Sequence, residues 1–561
     1  MVSDFLCAPL GVSIPPESTH SISVSLPKWD HVVEYEKGNR DIIDKLNGGY
    51  PRFVYHSYVK ELTRLAKELF VANNKMLSSE SLQILPTKKV AMRLYAFLTY
   101  TIVNSDSEEK LFDRVQLLSC ERLTDLHAVS FPASLCNKAK ASWQHCGEIV
   151  SSRHALALLN YMKQEVGSLS IAMHSTPIHH QLCQRIAQLY TQEPDLVVSP
   201  ESVFVYPTGM AAIFAAVRLL KSYHDERQNG RRSKAILIGF PYVDTLKILE
   251  REEWCNDGVH FLPHVTKPSF YSELEKLLKE EEGSIFGIFT EFPGNPLLLG
   301  CNLDRISQLA SKYNTYLVVD DTIGSYNVNV LQNKCADIIV TSLSKIFSGT
   351  ATVMGGSLVL SPCKNKDAVS VWHHMLQTGK DAFVMVDDAQ VLLETSASLQ
   401  SRVNKVNASA HYIVERLQNS SFTENVYYPA FDENTRDTFV RYQSSARFTA
   451  QSFGSLISVQ LKEEGDGRDP DGMHSNAHIF YDALEIAKGP SLGTNFTLSC
   501  PYTLLAHYTE LDFAESCGVN RRLIRISIGL EKREDIWRVI ANAFKAVRAN
   551  AECKAEVGMA H

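Results

Sequence analysis

Between Val203 and Leu360 the chain alternates short, almost wholly apolar runs with segments of helical period. The runs are VFVYP, KAILIGF, SIFGIFTE, TYLVVDD and ADIIVTS, and GMAAIFAAVRLLKSYH and LDRISQLASKY lie among them. Apolar strands mostly separated by helices predict a parallel sheet covered on both faces. Before about Gly147 the pattern is helical, as in SYVKELTRLAKELFVANN and KVAMRLYAFLTYTIV, with few strand-like runs. A long helical connection, roughly VSVWHHMLQTGK to HYIVERLQNS, leads into a mixed pattern. There SLISVQL and LIRISIGL read as strands, and AHIFYDALEIAK and DIWRVIANAFKAVRANAECK as helices. The acidic, glycine-containing EEGDGRDPDG from Glu463 to Gly472 predicts an exposed loop. The expected plan is a mostly helical N-terminal extension over residues 1–147, a large α/β domain over 148–415 and a small α+β domain over 416–561.

At 561 residues the chain is too long for one core. With 45% hydrophobic and 21% charged residues it has the balance of a globular protein, and its net charge of -7 argues against nucleic acid or an anionic membrane as partner. The 12 cysteines include no C-x-x-C pair, which predicts reduced thiols. No signal peptide and no apolar run of membrane-spanning length is evident, so a cytoplasmic location is expected.

Ligands of open α/β sheets bind outside the carboxyl ends of the strands. Those ends deliver Thr208-Gly209-Met210, Tyr242-Val243-Asp244-Thr245, the EFPGNP stretch with Asn295, Asp320-Asp321-Thr322, and Thr341-Ser342-Leu343-Ser344-Lys345. Singly, each has an ordinary structural reading: a helix cap at Thr208, a packed aromatic at Tyr242, a turn at Asn295, a solvated lysine at Lys345. Two adjacent aspartates without accompanying ligands do not make a metal site. His174, His179 and His180 read as a solvated loop. Taken together, the strand ends match one cofactor, pyridoxal 5'-phosphate. It needs a lysine for its Schiff base (Lys345), an acid for the pyridine nitrogen (Asp320), an aromatic face (Tyr242), a donor for the ring hydroxyl (Asn295) and a phosphate cup. The cup is assigned to Thr208, Gly209, Met210, Ser342 and Ser344, with Thr322 beside the ring acid.

PTGMAAI, the Tyr242 element, EFPGNP, VVDDT, TSLSK with its GG tail, GPSLGTNFTLSCPYTLLAHY and LIRISIGLE appear in this order. In this the chain resembles the Cys/Met-metabolism family of pyridoxal-phosphate enzymes. The N-terminal IPPESTHSISVSLPKWDHVVEYEKG and GYPRFVYH resemble its long fungal cystathionine γ-synthase-like branch. The resemblance implies an aspartate-aminotransferase-type fold (fold type I) and a homodimer or homotetramer. Strand alternation in LIRISIGLE puts Ile524, Ile526 and Ile528 on one face and Arg525 and Ser527 on the other. The resemblance assigns Arg525 the substrate carboxylate, with Ser491 close by and Asn295 within reach.

Relatives carry a Y-x-R that reaches across a dimer interface to the neighbour's phosphate. Its literal match here, Tyr50-Pro51-Arg52, lies far upstream, and Arg153 in Ser151-Ser152-Arg153 is the better-placed candidate for the phosphate charge. The Gly-His and Asp that follow the lysine in relatives become Gly349-Thr350 and Thr352, and the Asn after the ring aspartate becomes Asp321. The implied reaction is γ-replacement on an O-activated L-homoserine such as O-acetyl-L-homoserine, through a vinylglycine-type intermediate. Lys345 is the main acid and base and Tyr242 assists the leaving group. The nucleophile is a thiol such as cysteine, or a carbon nucleophile. The alternatives are a γ- or β-lyase and, more remotely, a non-catalytic scaffold.

Overall fold

The structure is a computed structural model. It describes residues 5–103, 113–120, 123–164, 171–173, 175–192, 194–228, 232–379, 382–443, 452–463 and 471–559. His174 and residues 464–470 of the acidic loop lie outside these.

Residues 5–56 wrap over the rest of the described molecule. Strands β1 (Ser13–Ile14) and β2 (Ser23–Val24) pair antiparallel, and the helix Trp29–Glu36 follows. Trp29 is fully buried, and its indole N–H donates to the Asp471 carbonyl at 2.8 Å. The Tyr481 hydroxyl donates to the Leu26 carbonyl at 2.8 Å, which pins this segment to the C-terminal part of the chain.

Residues from Ser57 to about 147 form a unit of helices and one small sheet. Helices Ser57–Ala72 and Lys88–Val103 arise where the apolar spacing predicts them. Strands β3 (Ser81–Leu85), β4 (Gln116–Ser119) and β5 (His127–Phe131) form an antiparallel sheet in the order β3-β5-β4. The helical reading of this region missed that sheet. Only Leu118 of β4 is buried, so the strand lacks the apolar run that marks a strand in sequence.

The central sheet holds β6 (Val203–Tyr206), β7 (Lys234–Ile238), β8 (Val259–Leu262), β9 (Ile285–Glu291), β10 (Leu317–Asp320), β11 (Ile338–Ser342) and β12 (Gly356–Leu360). Its order is β6-β12-β11-β10-β9-β7-β8. β12 runs antiparallel to both β11 and β6, and the other pairs are parallel. Strands β6 to β11 therefore all point one way and end at one edge. β12 starts at that edge beside Thr208. A Cβ on Gly356 would stand 2.2 Å from the Thr208 carbonyl oxygen, so only glycine fits there.

The C-terminal sheet comprises β13 (Thr423–Tyr427), β14 (Leu456–Leu461), β15 (Ala487–Lys488), β16 (Leu498–Pro501) and β17 (Ile524–Ser527), in the order β13-β14-β17-β16-β15. The long helix Arg533–Met559 packs on the helices Asn476–Ala483 and Leu399–Gln418. The helix expected over AHIFYDALEIAK stops at Ala483, and Ala487 and Lys488 turn into β15 to pair with β16. His179 is not in a solvated loop. It lies buried in the helix Pro177–Tyr190, in a reciprocal cap with Thr176, 2.7 Å from the Val384 carbonyl. Among the described residues no helix is long and apolar enough to cross a membrane.

Candidate active site

The carboxyl ends of β7, β9, β10 and β11 open into a cavity of about 760 Å³, closed on its other sides by the first 57 residues and by the C-terminal sheet. Gly209, Met210, Tyr242, Asn295, Asp320, Thr322, Ser342, Lys345, Ser491 and Arg525 all line it. Ten residues that span more than 300 positions in sequence thus meet at one sheet edge.

Lys345 stands in the turn just after β11, past Leu343 and Ser344. Its amine donates to Ser491 Oγ at 3.2 Å and to the Tyr50 hydroxyl at 3.4 Å, and lies 4.5 Å from the Tyr50 ring centre. Burial pulls the amine below its ordinary pKa; Tyr50 opposes this, and Arg525 and Arg52 add to it. Burial alone would raise the Tyr50 phenol, but the charges of Lys345 and Arg52 outweigh burial and hold it below the usual tyrosine value.

The two adjacent aspartates divide by strand alternation. Asp320 faces the cavity, accepts the Thr322 backbone N–H at 2.9 Å and pairs in register with Glu291 of β9. Burial raises its carboxyl. Glu291 also lines the cavity and is pushed up to about 8, by burial first and then by Asp320. Asp321 points into the core, where Thr341 Oγ1 and the Tyr190 hydroxyl donate to it at 2.6 and 2.8 Å. Burial pushes it up to about 7.

Arg525 sits in mid-strand on β17 and turns inward. Its guanidinium donates to Asn295 Oδ1 at 3.0 Å and to the Ser491 carbonyl at 2.9 Å, and lies 4.7 Å from the Tyr502 ring centre. The Asn295 amide donates to the Tyr502 hydroxyl at 3.1 Å. A fork fixed in this way suits a carboxylate.

Three expected site residues lie elsewhere. Thr208 Oγ1 donates to the Gly147 carbonyl and accepts the Ala211 N–H, so it caps the helix that Gly209 begins. The Ser344 hydroxyl turns from the cavity to the Gly355 carbonyl and N–H, which fixes the glycine turn into β12. Arg153 pairs with Asp388 at 3.1 Å and donates to the Thr352 carbonyl, outside the cavity lining.

The cation that lines the cavity beside Tyr242 is Arg52. It donates to the Tyr242 hydroxyl and the Gln144 carbonyl and pairs with Asp244 at 2.5 Å. Tyr50 and Arg52 of the literal Y-x-R thus enter their own chain's cavity. Sequence reasoning set this motif aside for its distance, although its residue types were the signal. It also passed over Glu291 and Tyr502, which stand inside the quoted EFPGNP and CPYTLL stretches.

The residues present fit pyridoxal phosphate. A Cβ on Gly209 would come 2.8 Å from Ser342 Cβ, so the glycine leaves a cradle open at a helix N-terminus, which favours a phosphate. Gly209, Met210 and Ser342 would hold the phosphate, with Arg52 nearby as the charge. Asp320 would hold the ring nitrogen, Tyr242 the ring face and Lys345 the aldehyde carbon. This sheet and this lysine, acid and arginine set are those of a fold type I pyridoxal-phosphate enzyme acting on amino acids.

Comparison with known proteins agrees. The profile of the family "Cys/Met metabolism PLP-dependent enzyme" matches residues 158–545, and that of "Fungal trans-sulfuration enzyme, N-terminal domain" matches 58–151. The chain is 33% identical to cystathionine gamma-synthase of Neurospora crassa, over 97% of this chain and 99% of that one. It is 32% identical to the cystathionine gamma-synthase-like enzyme iboG2 of Amanita muscaria, over 96% and 97%. The crystal structure of cystathionine gamma synthase from Xanthomonas oryzae pv. oryzae in complex with cystathionine shares the fold, with a TM-score of 0.53 at 20% identity, over 67% of this chain and 87% of that one. The chain belongs to the Cys/Met-metabolism family of pyridoxal-phosphate-dependent enzymes and carries the N-terminal domain of its fungal trans-sulfuration branch.

Proposed function

We propose that the protein catalyses γ-replacement on an O-activated L-homoserine, such as O-acetyl-L-homoserine. The observation that carries this reading is Lys345, within reach of Tyr50 and Ser491, in one cavity with the carboxylate fork of Arg525. When bound, the cofactor supplies the electron sink that makes protons at Cα and Cβ of the amino acid removable. The Arg525 fork, steadied by Asn295, grips the α-carboxylate and turns the Cα proton toward Lys345. Lys345, whose amine burial pulls below its ordinary pKa, takes the proton from Cα and then moves a proton at Cβ. Tyr50 accepts a proton from the amine and returns it. Tyr242, with its hydroxyl held by Arg52, stands by to assist the leaving oxygen at Cγ. The nucleophile then adds at Cγ. We place the enzyme in the cytoplasm, as a homodimer or homotetramer.

The test is incubation of the holoenzyme with O-acetyl-L-homoserine, with and without candidate thiol and carbon nucleophiles, followed by mass spectrometry. Acetate release that depends on a nucleophile, with a new Cγ bond in the product, supports replacement. Release of an oxo acid and ammonia with no nucleophile selects the lyase reading. No acetate release under any condition rejects the proposal.

A further inference from the structure

Glu291 ends β9 between two cavities. One is the active-site cavity; the other, of about 230 Å³, is lined also by Phe240, Leu299 and Cys301. Among the described residues Glu291 forms no ion pair, and its neighbour in register is a second carboxyl, Asp320. An unpaired carboxyl enclosed beside another of like charge costs stability. A turn at a strand end does not require one, because Asn, Ser or Thr caps a turn without a charge.

The carboxyl is used at both of its ends. Oε1 accepts the backbone N–H of Tyr242 at 2.5 Å, and Oε2 accepts the backbone N–H of Asn295 at 3.1 Å. Tyr242 stands just past the end of β7, the strand beside β9, and Asn295 just past the end of β9 itself. The side chains of both residues are engaged in the cavity. The Tyr242 hydroxyl accepts from Arg52. Asn295 Oδ1 accepts from Arg525, and its amide donates to the Tyr502 hydroxyl. A carboxylate offers an acceptor to each N–H; the isosteric amide of glutamine offers one acceptor and one donor.

We propose that Glu291 is a positioning residue: its two oxygens fix the backbones of Tyr242 and Asn295 relative to one another, and so hold the face for the cofactor ring at a set place against the carboxylate fork of Arg525. This rests on the assignment of Tyr242 to the ring and of Arg525 to the substrate carboxylate. The spacing of these two surfaces decides how an amino acid gripped at its carboxylate lies across the ring.

Two readouts on the holoenzyme follow the two bonds. The dissociation constant of L-norleucine, an amino acid with no leaving group at Cγ, is read from the visible absorption and follows the fork. The visible circular dichroism of the bound cofactor, without ligand, follows the ring face. Glu291→Gln keeps one N–H and turns a donor on the other. It is expected either to raise the dissociation constant roughly tenfold, the loss of one bond to a charged group, or to lower the dichroism per bound cofactor. Glu291→Leu loses both acceptors and is expected to change both readouts. Glu291→Asp keeps both acceptors on a shorter stem, is expected to retain part of each readout, and carries the test if the other two do not fold. Melting temperatures identify the folded variants. Both readouts unchanged in every folded variant overturns the proposal. So does failure of all three variants to fold, which makes the carboxyl a structural support alone. A wild type whose spectrum does not respond to L-norleucine removes the fork and overturns the proposal too. Absence of acetate release from O-acetyl-L-homoserine overturns the γ-replacement reading alone, since neither readout uses that reaction.

Discussion

Arg52 and Asp244 form an ion pair at 2.5 Å, with side chains only 2% and 1% exposed. Arg52 comes from the N-terminal wrap and Asp244 from the helix after β7, so the pair ties the wrap to the large domain. Removing one partner of a buried pair leaves the other charge uncompensated. Arg52→Ala should therefore cost about 3–5 kcal/mol in denaturant unfolding. Replacing Arg52 and Asp244 together by apolar residues should cost less than the sum of the single changes.

Tyr50, Arg52 and Lys345 face one cavity of one chain. Arg52→Ala and Lys345→Ala subunits, co-expressed and purified as mixed oligomers, should then show no recovery of activity. Recovery toward a quarter of the wild-type rate or more, on the order expected from random pairing, would mean that the arginine serves a neighbouring subunit.

Lys345→Ala should abolish the visible absorption of the lysine-bound cofactor. Turnover should fall by at least about 10²–10⁴-fold, the usual contribution of a positioned acid–base group. Absorption spectra and acetate assays on purified protein measure both.

Arg525→Lys keeps the charge but loses the fork. With about 1.5–3 kcal/mol per charge-assisted bond, KM for the homoserine ester should rise roughly 10- to 150-fold. An unchanged KM would place the carboxylate elsewhere.

Asp321 is held at about 7, above its unfolded value of 3.8, so the native state binds more protons than the unfolded one between these values. The stability it contributes is fully present below about pH 4 and is lost as pH rises through 7. It amounts to roughly 2–4 kcal/mol. Asp321→Asn should make this slope shallower without removing it, since Glu291 and Asp320 are also raised; urea melts of the apoprotein at about pH 4.5, 6 and 7.5 would measure the change.

Sequence legibility followed burial. VFVY, IIV and LVV are apolar runs in strands of the central sheet, so their ends, and with them Lys345 and Asp320, could be located from sequence. Arg525 was assigned through the family resemblance of LIRISIGLE; the alternation of that strand allowed the assignment without selecting it. Thr208 and Ser344 misled because a hydroxyl beside a phosphate cup and a hydroxyl that fixes a turn look alike in sequence. Only the Gly147 and Gly355 partners separate the two uses. Arg52 was passed over because closeness in sequence was taken for closeness in space, whereas the wrap carries it back over the cavity. Strand β4 was missed because it is too exposed to carry a pattern.

The N-terminal wrap is moored at Tyr481 of the helix Asn476–Ala483 and at Asp244 of the helix after β7, with Tyr50 between these moorings. The site is thus assembled from both ends of the chain: the wrap brings Tyr50 and Arg52, and the two sheets bring lysine, aspartate and the carboxylate fork. The wrap is a working wall as well as a cover, and a foreign wrap grafted in its place would have to be matched again to Lys345, Tyr242 and Asp244 before the site could work.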